Sequence, residues 1–167
     1  MLKSDELLEL HTRDAVVLAA RAWTDTPYRH QSRVLGRGVD CVGLIIAAGL
    51  DAGVMEWTEE DFAPWRGYGR LPNPSKMREG LEKFLREIPP DQGPMIGDVA
   101  WFRWREGLPM HLGILAAHAR PEAGLPPRLT IIHATQNVGK VVEHAFAGEW
   151  PERVESWWSY PALARGG

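Results

Sequence analysis

The only cysteine of the chain, Cys41, stands where a helix is predicted to begin. Asp40 before it is a typical N-cap residue, and apolar residues dominate the stretch from Val42 to Leu50. The free N–H groups at a helix N-terminus favour a thiolate, which makes a cysteine there a candidate nucleophile. A cysteine among aliphatic residues can equally be a small buried hydrophobe, so the helix start alone leaves both interpretations open.

Two histidines in the second half of the chain can supply the base that such a thiol needs. Strands are predicted at 111–117 and 129–134, with the loop between them centred near residue 122 or 123. With the centre at 122, antiparallel pairing sets His111 directly opposite His133, so that their rings can hydrogen-bond. A centre half a residue later would put the two rings on opposite faces. A thiol, a histidine that takes its proton and a polar group that orients this histidine are the requirements of thiol catalysis.

The elements that must position these residues are predicted as helices first and strands afterwards. Thr12 is the predicted cap of a first helix, and the helix from Asp40 ends near Gly53. Ser75 caps a third helix inside an aromatic and proline-rich region at about 55–95. The predicted strands are 99–104, 111–117, 129–134 and 141–146, followed by a tail that covers the sheet edge. This order predicts an α+β domain with its helices packed on an antiparallel sheet.

The composition argues against several classes of protein. The 22 acidic and 19 basic residues are near balance, so no nucleic acid is expected as a partner. One cysteine excludes an internal disulfide framework and a Cys-x-x-Cys zinc site. No apolar run approaches the roughly 18 residues of a membrane span, and the first residues lack the apolar core of a signal peptide. The protein is therefore expected to be made and folded in a cytoplasm.

Five blocks of the chain resemble, in order and spacing, the NlpC/P60 cell-wall peptidases. They are Thr26-Pro27-Tyr28-Arg29, Gly38–Leu44, Gly97–Phe102, His111–Ile114 and Ile132–Ala134. The resemblance covers about residues 12 to 160. Within the family, the chain resembles the branch encoded by phages and gene transfer agents. It implies a papain-like α+β fold, with residues 1–167 forming one peptidase domain and the 55–95 region an insertion. It also implies hydrolysis of peptidoglycan stem peptides between D-γ-glutamyl and a diamino acid, without a cofactor.

The resemblance also implies roles for individual residues. By position, Cys41 matches the nucleophile, His111 the general base and then acid, and His133 the residue that orients His111. Tyr28 matches the tyrosine whose hydroxyl faces the oxyanion together with the Cys41 N–H.

Five further residues are candidates for contacting the substrate: Asp40, Val42, Trp65, Trp101 and His30. Val42 stands where many NlpC/P60 proteins carry a serine, which leaves substrate recognition open to change. Asp40 is equally well explained as a plain N-cap. His118 and His144 match no position of the family, and we expect them on the surface or in loops.

The phage-like branch suggests local penetration of the cell wall by a tail. The expected partners are then a peptidoglycan stem peptide and proteins of the tail tip or baseplate, with no insertion into a membrane and with action in the periplasm or wall. Three alternatives stay open: a structural tail-tip component with a weak or vestigial hydrolase site, a thiol acyl transferase or amidase on the same scaffold, and a zinc site made of Cys41, His111 and His133.

Overall fold

The structure is a computed structural model that describes residues 4–65, 67, 69, 73–104, 107–120 and 124–164. It contains four α-helices and eight β-strands in the described residues. The helices are α1 (Ser4–Arg21), α2 (Cys41–Asp51), α3 (Glu59–Phe62) and α4 (Pro74–Phe84). The strands are β1 (Arg33–Val34), β2 (Gly38–Val39), β3 (Arg86–Glu87), β4 (Val99–Arg103), β5 (Pro109–His118), β6 (Arg128–Thr135), β7 (Lys140–Ala145) and β8 (Val154–Ser159). None of the described helices is long and apolar enough to cross a membrane.

The main sheet has six strands in the order β3-β8-β4-β5-β6-β7, and all of its pairings are antiparallel. Strands β4 to β7 form the predicted meander, because each is joined to the next by a loop that returns the chain beside itself. The tail supplies β8, which pairs with the free edge of β4, as the sequence predicted. The α+β class is confirmed, with a helical layer and one antiparallel sheet.

Helices α1 and α2 pack against one face of this sheet. Val16 of α1, Leu44 of α2 and Ile132 of β6 belong to the same buried apolar cluster. Side chains alternate between faces along a strand, so Ile131 points to the other face, where it packs with Phe102 in a second, smaller cluster. Each face of the sheet therefore has its own apolar packing. His133, between Ile132 and Ala134, faces away from the helices.

Two predicted caps are wrong. Helix α1 begins at Ser4, and Thr12 lies inside it with its hydroxyl donating to the carbonyl of Leu8 at 2.8 Å. Asn73 caps α4 through its side chain, one residue before Pro74, so Ser75 is already within the helix. Proline is favoured in the first turn of a helix, and it moved this start two residues upstream.

The 55–95 region places helical segments over the sheet. Besides α4 it holds α3 and a 3₁₀ turn at Ala63–Trp65. Trp57 packs edge-on against Phe62 with ring centroids 4.5 Å apart and also contacts Phe84 of α4. These aromatic rings hold the short α3 against α4, beside the start of α2.

Candidate active site

Asp40 fixes the start of α2. It is 2% exposed, and its Oδ1 accepts the Gly43 N–H at 2.8 Å, which is the bond of an N-cap. Its Oδ2 accepts the Gln31 N–H at 2.6 Å and lies 3.8 Å from His30 Nδ1. The carboxylate thus ties the loop before β1 to the helix that carries the cysteine. The structure gives Asp40 this structural role, and contact with substrate stays a prediction for both Asp40 and His30.

Cys41 is half-buried at the first turn of α2, and its thiol meets strand β5. Burial, together with the neighbouring Asp40 carboxylate, raises the pKa of the Cys41 thiol to about 12. Backbone N–H groups of Leu112, Val42 and Cys41 act in the opposite sense, because they stabilise the thiolate. The Leu112 N–H belongs to the peptide that links it to His111, so the thiol lies beside the strand that carries this histidine.

Tyr28 is brought to the same helix start by backbone pairing. It forms a parallel bridge with Val39, two residues before Cys41, and its N–H donates to the Gly139 carbonyl at 2.7 Å. The neighbouring Arg29 N–H donates to the Val39 carbonyl at 3.0 Å. The loop from β6 to β7 and the entry to α2 thereby hold Tyr28 between them.

The two predicted histidines meet. His111 Nε2 and His133 Nδ1 are 2.6 Å apart, and both residues are buried. The register differs from the predicted one: Ile114 pairs with Ile132, which carries His133 to Gly113 instead of His111. A Cβ on Gly113 would lie 3.3 Å from the His133 Cβ. The two histidines are diagonal neighbours on one face, which still allows their long side chains to touch.

A third histidine extends this pair. His144 Nε2 lies 2.9 Å from His133 Nε2, and His144 Nδ1 lies 2.9 Å from the Ala145 carbonyl oxygen. The expectation of a surface or loop residue is wrong for His144, whereas His118 is exposed at the end of β5. The short turn at 136–139 could have predicted this position from the sequence. It sets His133 opposite Val142, and His144, two residues further along β7, therefore lies on the same face.

Aromatic side chains cover this row of histidines. The Trp104 ring lies 4.5 Å from His111 at 30°, and the Trp150 ring meets His133 edge-on at 5.0 Å and His144 at 4.7 Å. Burial lowers the pKa of His111 to about 3 and that of His133 to about 2, with neighbouring histidines adding to the effect. Both rings are therefore neutral near pH 7, and a neutral imidazole can act as a base.

An apolar cavity of about 310 Å³ is lined by Val42, the residue that follows Cys41, and by further residues of the helical layer. It lies between α2, α3, α4 and β5, and its lining includes Val42, Trp65, Lys76, Met77 and Leu112. Val42 and Leu112 are the chain neighbours of Cys41 and His111, but neither Cys41 nor His111 is among the lining residues. Leu112 lies on the helix-side face of β5, opposite to the face that carries the His111 ring.

Trp101, which we expected to contact substrate, lies in the helix-side core and is not among the residues lining the cavity, so its contact with substrate stays a prediction. Trp101 is 3% exposed within the helix-side core, and its indole N–H donates to the Met77 sulfur at 3.1 Å. The alternation along β4 turns Trp101 under α4, whereas Phe102 faces the histidines. Trp65 remains in a position where substrate contact is geometrically open, since it lines the cavity.

The residues that the structure describes contain no group of three or more His, Cys, Asp or Glu side chains suited to hold a metal ion. In the histidine row, His133 uses both ring nitrogens on its neighbours. A ring nitrogen engaged in this way has no lone pair free for zinc while the bond persists. The zinc alternative gains no support from this arrangement.

Three solved structures resemble the chain over most of its length. A protein similar to a lipoprotein of the NLP/P60 family from Staphylococcus aureus matches 90% of this chain at 16% identity and a TM-score of 0.54. NlpC1 from Trichomonas vaginalis matches 90% at 18% identity and a TM-score of 0.53. The P60 domain of an antigen from M. avium subspecies paratuberculosis matches 95% at 14% identity and a TM-score of 0.53.

These similarities establish the fold. The chain spans 41% and 44% of the first two proteins and 99% of the third, which is a P60 domain alone. No protein-family model and no curated protein sequence matches the chain. The molecule thus has the α+β fold of the NlpC/P60 proteins, at a sequence distance where the fold can persist without the activity.

Proposed function

We propose that the protein is a cysteine endopeptidase that hydrolyses peptidoglycan stem peptides. The observation that carries the proposal is the contact of the Cys41 thiol with the backbone of β5 at Leu112, the residue that follows His111. The Leu112 N–H stabilises the thiolate of Cys41 at the N-terminus of α2. His111, the residue before Leu112, contacts His133 through its Nε2. This arrangement leaves His111 Nδ1 as the ring nitrogen for a second partner, as a nucleophile–base–orienter set requires.

In the proposed reaction, His111 Nδ1 takes the proton of Cys41 Sγ while the sulfur attacks the carbonyl carbon of the scissile amide. The Cys41 N–H and the Tyr28 hydroxyl donate to the oxyanion of the tetrahedral intermediate. The imidazolium of His111 then protonates the leaving amine, and the C–N bond breaks to give a thioester. Water attacks this thioester with His111 again acting as base, which releases the acid and restores the thiol.

The pKa values bear on when the proton moves. A thiol with its pKa raised to about 12 and an imidazole with its pKa lowered to about 3 rest as a neutral pair near pH 7. Proton transfer therefore has to accompany attack on the bound substrate, with Nδ1 within hydrogen-bond reach of Sγ in the reacting complex. His133 supports the charge that develops on His111, because its Nδ1 can accept the Nε2–H.

For the substrate we propose the bond between D-γ-glutamyl and a diamino acid, as the resemblance to NlpC/P60 peptidases implies. Lys76 is the cationic side chain among the residues that line the cavity, and it can pair with a stem-peptide carboxylate. Val42 lines the same cavity without a hydroxyl, so recognition there rests on shape and apolar contact. Delivery by a phage-like tail, with tail-tip or baseplate proteins as partners, remains a proposal that rests on the sequence resemblance.

Digestion of purified muropeptides by the wild type and by Cys41→Ala, read by mass spectrometry, tests the peptidase. We expect the wild type to split the stem peptide and Cys41→Ala to lose at least about a thousandfold in rate. His118→Ala is the matched control, since this histidine is exposed on β5. Retained cleavage by a folded Cys41→Ala would overturn the mechanism, and an inactive wild type would favour the structural tail-tip alternative.

A thiol acyl transferase or amidase is the second candidate, and the apolar character of the cavity favours it. Apart from Lys76 and Asn73, the side chains that line the cavity are apolar or aromatic, or absent at glycines. Such a wall suits an acyl chain better than a charged peptide. Incubation with N-acyl and O-acyl donors of increasing chain length separates the candidates, because only an acyl-chain enzyme should release product faster as the chain grows.

A further inference from the structure

The row of three histidines ends on a group that can only accept a hydrogen bond. His144 Nδ1 is 2.9 Å from the carbonyl oxygen of Ala145, and a carbonyl has no proton to give. His144 must therefore carry a proton on Nδ1. A neutral imidazole has one N–H, so in the neutral ring Nε2 is left as an acceptor.

This constraint passes inward from ring to ring. His144 Nε2 lies 2.9 Å from His133 Nε2, so the proton between them belongs to His133. A neutral His133 that carries its proton on Nε2 has an acceptor at Nδ1, 2.6 Å from His111 Nε2. His111 then carries its proton on Nε2, and its Nδ1 holds the free lone pair. One backbone carbonyl on β7 thus determines which nitrogen of His111 is basic.

The surroundings keep the row from reorganising. His111 and His133 are buried, and Trp150 packs against both His133 and His144. Water that could offer a substitute donor or acceptor is kept away from the inner rings, and an unpaired N–H in such a place is costly. The reversed set of tautomers would turn the lone pair of His144 Nδ1 toward the Ala145 carbonyl oxygen, so that two acceptors face each other.

We propose that His144 is a positioning residue that fixes the tautomers of His133 and His111, so that Nδ1 of His111 is the basic nitrogen. The task of that nitrogen in accepting the Cys41 proton rests on the proposed function, whereas the tautomers themselves do not. His144 acts through His133 and does not touch the reacting atoms.

Histidine labelled with ¹⁵N allows a direct test by long-range ¹H–¹⁵N correlation at about pH 8, where an ordinary imidazole is neutral. In the wild type we expect Nε2–H for His111 and His133, and Nδ1–H for His144. The His144 pattern is the more telling one, because it is opposite to that of the two inner rings. A protonated Nδ1 on His111 in the wild type would overturn the inference, whatever the activity.

Two substitutions then vary the outer group. Lysine in His144→Lys is only a donor, and it should reverse the inner tautomers and lower kcat on muropeptides by about a hundredfold. The amide oxygen in His144→Gln can accept the His133 proton, and it should keep the wild-type tautomers and stay within about threefold of the wild-type kcat. If His144→Lys does not fold, His144→Phe serves in its place, with mixed tautomer signals expected.

The outcomes separate this inference from the peptidase proposal. Wild-type tautomers as expected, with no muropeptide cleavage, would sink the peptidase and leave the positioning role intact. Unchanged His111 tautomers in both His144→Lys and His144→Phe would show that something other than His144 sets them.

Discussion

At the scale of single residues, the pKa shifts of Cys41 and His111 both favour a neutral thiol and a neutral imidazole over a thiolate–imidazolium pair. Burial is the largest cause for both, since it raises the pKa of Cys41 and lowers that of His111. A helix N-terminus alone would have lowered the thiol pKa, as the sequence suggested. The Asp40 carboxylate, which starts the same helix, offsets this benefit because it raises the Cys41 pKa.

Replacing Asp40 by asparagine should make the thiol more reactive. Asparagine can still accept the Gly43 N–H, but it removes the negative charge beside Cys41, so the thiol pKa falls. Each unit of decrease gives about tenfold more thiolate at a given pH below the pKa. We expect faster alkylation by iodoacetamide at pH 8 in Asp40→Asn, together with a loss of about 1 kcal/mol in unfolding free energy from the Gln31 N–H that loses its acceptor.

Asp91→Asn is the control for this change, because Asp91 is an exposed carboxylate on a loop. In the wild type the alkylation rate should rise steadily from pH 7 to beyond pH 9, without a plateau at neutral pH. A plateau below pH 7 would mean that a thiolate–imidazolium pair already exists at rest.

The buried histidines should make the protein sensitive to mild acid. The pKa values of His111 and His133 are lowered from 6.5 to about 3 and about 2. Below about pH 6.5 the unfolded chain therefore binds protons at these two histidines that the folded chain does not bind. Their contribution to stability is complete above about pH 6.5 and is lost as the pH falls. Between pH 7 and pH 5 this linkage amounts to about 2 kcal/mol per histidine, measurable by urea unfolding at the two values.

His133→Asn removes one of these two groups. Between pH 7 and pH 5, the loss of unfolding free energy should therefore be about 2 kcal/mol smaller in this variant than in the wild type. His11→Asn, at an exposed position on α1, should keep the wild-type pH dependence. If all three proteins lost equal stability, His133 would not be a buried neutral ring.

At the scale of elements, hydrophobic pattern and turn chemistry were enough to predict most of the framework. Helix α2 with its Asp40 cap, the meander β4–β7 and the edge strand in the tail are all visible in the chain, because each has strong local signals. The β5–β6 register was not predictable from the loop centre, since the loop is long and its ends need not be symmetric. The 136–139 turn is short, and it does fix its register.

Gly43 is required where α2 passes close to the loop before it. A Cβ at this position would lie 2.7 Å from the Ser32 carbonyl oxygen and 3.2 Å from Val39 Cγ2. Because the nearest atom is backbone, Gly43→Ala should cost about 1–3 kcal/mol in unfolding free energy. Gly80→Ala in α4 is the matched control: its Cβ would meet the Trp65 ring at 3.5 Å, and alanine should stabilise that helix by up to about 1 kcal/mol. Equal effects at both positions would contradict the close approach in α2.

At the scale of the whole molecule, the sheet separates two kinds of packing. Its helix-side face is an apolar core, and its other face carries the histidines under Trp104 and Trp150. Cys41 and His111 could be singled out as candidates from the sequence because each stands in a local motif. His144 and the burial of Trp101 could not, since they depend on the combined registers of several strands and on which face the helices cover.

A buried ion pair holds the two ends of the chain to the sheet. Arg13 of α1 donates to Asp98 Oδ1 at 2.8 Å and to the Leu163 carbonyl at 2.9 Å, and the Ser159 hydroxyl donates to the same Asp98 oxygen at 2.8 Å. Removing one partner leaves the other charge buried, so Asp98→Ala should lower the unfolding free energy by about 3–5 kcal/mol.

The double variant Arg13→Met/Asp98→Leu tests whether that cost comes from the stranded charge. It replaces both charges by apolar side chains, so its loss should be clearly smaller than the sum of the losses in the single variants Asp98→Leu and Arg13→Met, as measured by urea unfolding at pH 7. Arg103→Met is the control, because its ion pair with Glu155 is exposed and should be worth about 1 kcal/mol or less. Additive losses in the double variant would mean that the separate hydrogen bonds of Asp98 with Ser159 and of Arg13 with the Leu163 carbonyl, and not the ion pair, hold α1 and the tail in place.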